Sequence, residues 1–228
     1  SRLIGLLHPS LARVPEALSR RFLAQQVEDP AVAKALIPEY TFGCKRVLIS
    51  NDWFRMFNRP NVELVTNGVR EVRAHSIVTD DGVERPVDCI ILGTGFVVDP
   101  RNCMRHFPIT GLPDHTLTRD WENGAEAYYG INVTGYPNLH QLVGPNTALG
   151  HNSIIFMIEC QVNYVLDCIR ALQHRGADYL EVRPEVQARF NERVQKALRG
   201  TVWSSGCVSY YRQSDGRIFS IWPWSTWR

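Results

Sequence analysis

The feature that most constrains the fold is an apolar run that leads directly into a glycine turn, the stretch D-C-I-I-L-G-T-G-F at residues 88–96. Such a run predicts a buried strand, and a buried strand that ends in G-x-G is typical of α/β folds that bind dinucleotides. The phosphate-binding version needs a third glycine, but Val98 holds that position and Pro100 follows. The stretch therefore indicates either an ordinary buried strand with a tight turn or a glycine turn used away from a phosphate loop.

Length and composition allow one large domain or two small ones. Of the 228 residues, 44% are hydrophobic and 10% aromatic, which is enough for a sizeable core. The formal net charge is only +2, so nucleic acid and anionic membranes are excluded as primary partners. The apolar segment at residues 3–7 is too short for a signal peptide. No stretch reaches the ~18 apolar residues of a membrane helix, so we expect no membrane span.

Cysteine and histidine spacing bears on compartment and on metal chemistry. The six cysteines form no C-x-x-C pair, and several lie in apolar contexts typical of buried free thiols, which favours a reducing cytoplasm. The seven histidines lack metal-ligand spacing and H-E-x-x-H is absent, so we predict no metal site. His151 lies near Ser153, as in some hydrolases, but no G-x-S-x-G turn accompanies the pair.

Helical spacing of apolar residues predicts helices in three parts of the chain. Residues 10–37 predict two or three short helices interrupted by Pro15 and Pro30. Asn152 is placed to cap a long amphipathic helix, and a further helix is expected over 184–199, before Gly200. The apolar residues of the long helix are Ile154, Ile158, Val162, Val165, Ile169 and Leu172.

Extended structure is predicted between these helices. Residues 97–137, rich in Pro, Gly and Asn, are expected to be irregular. Strands alternating with helices and ending in glycine turns indicate an α/β architecture. The predicted extended segments are Asn61–Val65, a ribbon over Val69–Thr79 that turns at residues 80–82, its return leg Val87–Leu92, and Asn138–Val143.

Two stretches carry side chains suited to a charged ligand. Lys45 and Arg46 follow Gly43; either both are solvated surface residues, or Arg46 turns inward, where its permanent charge would steady an oxyanion while Lys45 meets a phosphate. The second stretch precedes the long helix, whose N-terminus could hold a phosphate, a carboxylate or the polar edge of a flavin, although most such loops bind nothing. Its candidate residues are Gly144, Pro145, Asn146, Thr147, His151 and Asn152.

Five longer stretches occur in the order in which one protein family has them. They are L-I-P-E-Y-T-F-G-C-K-R-V-L-I-S-N-D-W, F-N-R-P-N-V-E-L-V, V-D-C-I-I-L-G-T-G-F, G-Y-P-N-L-H-Q-L-V-G-P-N-T-A-L-G-H-N-S-I-I-F-M-I-E, and a tail with G-C-V-S-Y-Y and W-P-W-S-T-W-R. Together they resemble the flavin-dependent monooxygenases of the Baeyer-Villiger and related flavin-containing type, from about residue 28 onward. Five ordered matches are more specific than any single motif.

The resemblance implies an enzyme with two dinucleotide-binding domains. It implies that residues 1–86 hold a helical segment and the C-terminal part of an NADP-binding domain, and that residues 87–228 hold the C-terminal part of an FAD-binding domain. In such enzymes NADPH reduces FAD, and the reduced flavin reacts with molecular oxygen to form a C4a-peroxide. The peroxide converts a ketone into an ester, or as hydroperoxide oxygenates nitrogen or sulfur. The implied substrate is a small apolar organic molecule, either a ketone or a heteroatom compound.

The resemblance also implies roles for individual residues. Arg46 matches the family arginine that stabilises the peroxyflavin anion and holds the nicotinamide, and Lys45 matches a residue near the NADP 2′-phosphate. Gly93, Thr94 and Gly95 match a second, internal glycine motif that borders the NADP cleft. The loop over residues 144–152 is expected to place the N-terminus of the long helix against the pyrimidine edge of the flavin.

The chain departs from the family pattern in two ways. Both G-x-G-x-x-G fingerprints and the long signature between them are absent, so the chain resembles only the C-terminal portion of such an enzyme. We therefore expect a missing N-terminal half as partner, and open sheet edges without it. Tyr210 stands where many relatives have tryptophan, in a triplet on the nicotinamide side. A truncated remnant without bound flavin is the alternative to an active enzyme.

Overall fold

The protein forms two compact units in its computed structural model. The first comprises Ser1–Glu16, Tyr40–Leu48 and Val97–Arg228, and the second comprises Ala17–Glu39 and Ile49–Phe96. The structure describes residues 9–104, 106–150, 153–213 and 215–226, with the side chain of Cys103 left out.

Two short helices open the described chain and confirm the prediction for residues 10–37. Helix α1 spans Arg13–Gln26 and helix α2 spans Pro30–Ala35. Pro15 does not interrupt α1, because it lies in the first turn, where a missing N–H costs no intrahelical hydrogen bond. At α2, Asp29 caps the helix by accepting from the backbone N–H groups of Ala31 and Val32. A 3-10 turn, Pro9–Ala12, precedes α1.

The second unit holds a three-stranded antiparallel sheet with the order β1-β2-β3. The strands are β1 Val69–Val72, β2 Ser76–Thr79 and β3 Glu84–Pro86. The predicted ribbon is therefore two strands, and its return leg is β3 instead of Val87–Leu92. Arg85 of β3 explains part of this register, since its guanidinium donates to the hydroxyl of Thr79 at 2.7 Å and pairs with Glu63 at 3.0 Å.

Three predicted strands are absent from the described structure: Asn61–Val65, Val87–Leu92 and Asn138–Val143. A strand is stabilised by hydrogen bonds to a neighbouring strand, which a favourable side-chain pattern cannot supply. The run before the glycine turn is strongly apolar, yet Ile91 is 92% and Leu92 78% exposed. Among the described residues, this apolar run therefore pairs with no neighbouring strand.

The two later helices confirm the predicted positions, but the N-cap of the first is Ser153 and not Asn152, so the predicted cap was wrong by one residue. Helices α5, Ile154–Arg175, and α6, Pro184–Leu198, are joined by a turn that begins at Gly176 with φ +60°. Helix α5 buries Met157, Gln161 and Cys168. Val162 and Ile169, which belong to its predicted apolar face, are 39% and 41% exposed. Part of the predicted apolar face of α5 is thus exposed to solvent.

The first unit contains two hydrophobic clusters. Residues 97–137 are largely irregular, as predicted, with two four-residue helices, α3 Pro100–Cys103 and α4 Leu117–Asp120. Their side chains nevertheless form what we call the loop cluster, which consists of Leu117, Trp121, Ala125, Ala127, Val133 and Tyr136. The tail cluster consists of Cys44, Met157, Phe190, Val194, Leu198, Val202, Trp203, Tyr211, Ile218, Ile221 and Trp222. The 3-10 turns Phe54–Asn58 and Val202–Ser204 complete the fold.

Candidate functional site

The segment that carries Lys45 and Arg46 is anchored at its start and exposed beyond it. Gly43 adopts φ +86°, a conformation that favours glycine, and Cys44 is fully buried in the tail cluster. Lys45 and Arg46 are both exposed. The ammonium of Lys45 lies 4.6 Å from the centre of the Tyr40 ring, within the range of a cation–π contact. The side chains of Lys45 and Arg46 thus face solvent directly after a residue, Cys44, that is fully buried.

The tail places two tyrosines beside this segment. Tyr210 is half-exposed, and its hydroxyl donates to the hydroxyl of Tyr211 at 3.1 Å. Tyr211 is only 5% exposed, and burial raises its pKa, with Tyr210 adding to the rise. The Arg46 guanidinium opposes this rise in the pKa of Tyr211 because a positive charge stabilises a phenolate. Arg46 therefore lies near enough to Tyr211 to influence its pKa, a proximity that no sequence pattern indicated.

A disulfide joins the same two segments. The sulfur atoms of Cys44 and Cys207 are bonded, with their Cα atoms 6.6 Å apart and 163 positions between them in the sequence. The expectation of free thiols is wrong for these two cysteines, since spacing reveals nothing about residues that only the fold brings together. Among the described side chains, Cys89 and Cys160 are free and exposed, and Cys168 is free and buried.

The loop before α5 uses its side chains within the protein. Asn146, 1% exposed and at φ +58°, donates through Nδ2 to the carbonyls of Ile218 and Ile221 at 2.9 and 3.1 Å. The buried Thr147 hydroxyl donates to the Gly144 carbonyl at 2.7 Å. The Asn146 side chain thus fastens the loop to the tail, whereas the Thr147 hydroxyl bonds within the loop. Pro145, which precedes them, is buried, while His151 and Asn152 lie outside the described residues.

Gly144 is required by a close backbone approach. A Cβ atom at this position would lie 2.3 Å from the carbonyl oxygen of Gly130, a separation that real Cβ atoms essentially never show. The start of α5 is anchored in the same way, because Leu149, which precedes the helix, and Ile154, its first residue, both pack against the tail cluster. The first turn of α5, whose residues are all described, carries no acidic side chain that would oppose an anion or an electron-rich oxygen there.

Three of the predicted stretches therefore converge on one hydrophobic cluster: the Arg46 segment, the loop before α5 and the tail with Tyr210. The fourth, Gly93-Thr94-Gly95, belongs mainly to the second unit. All three of its residues are exposed, and Gly95 adopts φ +84°, as a glycine turn requires. Gly95 thus has the backbone conformation that favours glycine, but residues 91–99 form no hydrogen-bonded turn.

A further polar group was not predicted from the sequence. Asp120 accepts from the Tyr136 hydroxyl at 2.8 Å, and its Oδ2 lies 2.7 Å from Nδ1 of His115. Partial burial raises the pKa of Asp120, but the hydrogen bonds from His115 and Tyr136 outweigh it and leave the pKa lowered. A cavity of about 360 Å³ adjoins His115 and Asp120. The three residues share no local spacing that a sequence pattern could detect.

The part of the chain that the structure describes holds no group of three or more His, Cys, Asp or Glu side chains arranged to bind a metal ion. None of its helices combines the length and apolar character that a bilayer crossing requires.

Comparison with known proteins identifies the class to which this fold belongs. No family model matches the chain. A Baeyer-Villiger monooxygenase of Pseudomonas aeruginosa is 40% identical over 225 residues, which are 96% of this chain and 42% of that protein. An NADP-bound steroid monooxygenase superposes with a TM-score of 0.86 at 29% identity, and OTEMO, solved with FAD and NADP, with a TM-score of 0.84 at 28% identity. The two superpositions include 96% and 93% of this chain, but only 42% and 40% of the two known structures.

These are α/β flavoproteins with FAD and NADP domains, so the predicted fold class is confirmed. The chain belongs to the flavin-dependent monooxygenases of Baeyer-Villiger type and corresponds to their C-terminal portion. It spans well under half the length of the relatives that it matches.

Proposed function

We propose that the chain supplies the C-terminal portion of an FAD- and NADPH-dependent monooxygenase that converts a ketone into an ester. The convergence of the Arg46 segment, the loop before α5 and the tail on one cluster carries this proposal. These stretches lie far apart in the sequence, yet together they present a fixed cation, a helix N-terminus and aromatic side chains. We further propose residues 1–86 and 87–228 as parts of the NADP and FAD domains, and a cytoplasmic location.

The residues present fit part of each cofactor. The exposed cations Lys45 and Arg46 suit the negatively charged NADP, with Lys45 toward the 2′-phosphate. The N-terminus of the 22-residue α5, free of acidic side chains in its first turn, suits the electron-rich oxygen of a flavin edge. The sequence contains no G-x-G-x-x-G loop for the pyrophosphates. Polypeptide outside this chain must therefore hold the phosphates.

The bound flavin would supply oxygen activation, and the residues of this chain would position and stabilise the reactants. Arg46 would hold the nicotinamide and offset negative charge that develops beside the flavin, since its guanidinium stays protonated at any working pH. Gly93, Thr94 and Gly95 would border the NADP cleft, and Tyr210 would contact its nicotinamide side. The substrate would be a small apolar ketone, with a nitrogen or sulfur compound as the alternative, and molecular oxygen the co-substrate.

Substitution of Arg46 tests the proposal in the flavin-loaded enzyme that contains this chain. We expect Arg46→Ala to lower ester formation by about 10²–10³-fold, as loss of a charge-stabilising donor does in other enzymes, while NADPH still reduces the flavin. The measurement is product yield by gas chromatography beside NADPH consumption. Arg70→Ala, which removes an exposed arginine from β1, is the matched control and should leave both unchanged. Unchanged ester yield in Arg46→Ala would falsify the role of this residue.

A non-catalytic remnant is the second candidate, and the exposed apolar segments favour it. Ile49 is 94% and Ile91 92% exposed, and large exposed aliphatic side chains are unusual in a stable solitary domain. The intact mass and visible spectrum of the native polypeptide from its source cells separate the candidates. A longer, yellow chain supports the monooxygenase, whereas a colourless chain near 26 kDa supports the remnant.

A further inference from the structure

The Cys44–Cys207 disulfide ties the Arg46 segment to the tail. Arg46 follows Cys44 by two residues, and Tyr211 follows Cys207 by four, so both residues lie close to the disulfide along the chain. The lowering effect of the Arg46 guanidinium on the pKa of Tyr211 agrees with this proximity.

The segment has few other anchors among the described residues. The N–H of Cys44 donates to the Thr41 carbonyl at 3.1 Å, which is a local bond. The N–H of Phe42 donates to the Glu16 carboxylate at 2.8 Å. Every residue from Lys45 to Ser50 is exposed. The position of Arg46 relative to the tail therefore depends chiefly on what happens at Cys44.

We propose that Cys44 and Cys207 form a thiol–disulfide switch that holds the Arg46 segment against the tail when oxidised and releases it when reduced. The effect on catalysis rests on the proposed role of Arg46, but the switch itself does not. Arg46 would act on the reactants, and the cysteine pair would act only through Arg46. The paired cysteines are therefore positioning residues.

The two sulfur atoms differ in access, which fixes the order of the exchange. Cys44 is fully buried, whereas Cys207 is only partly buried. A thiolate of an external dithiol would attack Cys207, displacing Cys44 as thiolate and forming a mixed disulfide. The second thiol of the reductant then attacks its own bonded sulfur and releases Cys207. Two electrons and two protons pass to the protein, which gains two thiols as the dithiol becomes a cyclic disulfide.

The proposed cytoplasmic location favours a redox switch over a permanent structural disulfide. Thiol reductants keep most cytosolic cysteines reduced, and cytosolic disulfides of ordinary organisms are usually transient and catalytic or redox-sensing. A pair that joins a proposed catalytic arginine to the tail would transmit the redox state directly to the site. The three remaining free cysteines that are described take no part, because none lies in either segment.

Peptide mapping and hydrogen exchange test the switch without any flavin chemistry. The native protein is alkylated, digested without reductant and mapped by mass spectrometry, and we expect a Cys44–Cys207 linked peptide that dithiothreitol removes. Amide exchange in residues 40–48 should then accelerate by about tenfold or more on reduction, while exchange in α6 changes by less than about twofold. Absence of the linked peptide, or equal exchange in both redox states, would overturn the proposal.

Two variants keep the result interpretable. Cys207→Ser cannot form the bond, so its 40–48 segment should exchange at the rate of the reduced protein and ignore the reductant. Cys160→Ser removes an exposed free thiol and should respond to reductant as the unmodified protein does. If Cys207→Ser exchanges as slowly as the oxidised protein, packing alone holds the segment and the switch is refuted. Full ester yield in Arg46→Ala, with an intact redox response of the 40–48 segment, would instead count against the proposed function alone.

Discussion

Two regions of the molecule reverse the expectations that their sequences raise. The loop cluster lies in a stretch that reads as irregular, yet Leu117 and Ala125 are fully buried and Trp121 is 2% exposed. Residues 88–98 carry the strongest strand pattern of the chain, yet their aliphatic side chains face solvent. The loop cluster finds its contacts within about 20 neighbouring residues, whereas the strand needs a partner from elsewhere. Burial thus follows the availability of a partner and not local apolarity.

The largest expected effect is loss of the Trp121 side chain from the loop cluster. Its indole N–H donates to the Glu126 carbonyl at 3.0 Å and its ring is almost fully enclosed. We expect Trp121→Ala to lower the free energy of unfolding by about 3–5 kcal/mol, because it leaves a large cavity and an unpaired carbonyl. Urea unfolding followed by circular dichroism measures the change. A loss below about 1 kcal/mol would show that this region is not a true core.

A smaller effect is expected where Asn146 fastens the tail. Its amide donates to the carbonyls of Ile218 and Ile221, and the Ile218 carbonyl also accepts from Gln195 at 3.0 Å. Asn146→Gly therefore removes two buried hydrogen bonds and leaves the Ile221 carbonyl unpaired, which should cost about 2 kcal/mol of unfolding free energy. Glycine tolerates the φ of +58°, so the substitution isolates the hydrogen bonds from backbone strain. Chemical denaturation gives the value, and Asp114→Gly, at an exposed residue with φ +68°, is the control.

The pH dependence of stability tests the polar group beside the loop cluster. The lowered pKa of Asp120 stabilises the fold above the ordinary value of 3.8, and that contribution is lost as pH falls through the folded pKa. Tyr136→Phe removes one hydrogen bond to Asp120 and should cost about 1 kcal/mol at neutral pH. The difference from the unmodified protein should shrink between neutral pH and an acidic pH below the folded pKa of Asp120.

Urea midpoints at the two pH values measure this difference. Tyr179→Phe, at a tyrosine that is 62% exposed, is the matched control and should have no effect at either pH. A cost for Tyr136→Phe that does not vary with pH would mean that the phenol acts by packing alone.

The smallest effect is expected at Ile91, in the exposed strand pattern. With 92% of its surface already in solvent, Ile91→Ala should change the unfolding free energy of this chain by less than about 0.5 kcal/mol. The same urea titration provides the measurement. A loss as large as that of Trp121→Ala would mean that residues 88–98 already pack against a partner, for instance in a second copy of the chain.

Much of the local structure could be predicted from the sequence. Helices α5 and α6, the short helices α1 and α2, and the positive φ of Gly95 follow from apolar spacing, caps and glycine, all of which act within a few residues. The family resemblance predicted that the Arg46 segment and the tail belong to one site, and both segments contribute to the tail cluster. The strand at Asn138–Val143 was predicted wrongly because side-chain alternation does not supply a hydrogen-bonding neighbour.

The sequence by itself determined the helices, the backbone conformation of Gly95 and the family, because each depends on residue types at short fixed spacings. Only the tertiary structure joined Cys44 to Cys207, brought Tyr211 near Arg46 and turned Asn146 from a ligand candidate into a buried fastening for the tail. These contacts span 72 to 165 positions, and at such separations no local pattern specifies which residues meet. The free energy that brings them together is the burial of the whole tail cluster, a property of the folded chain and not of any one segment.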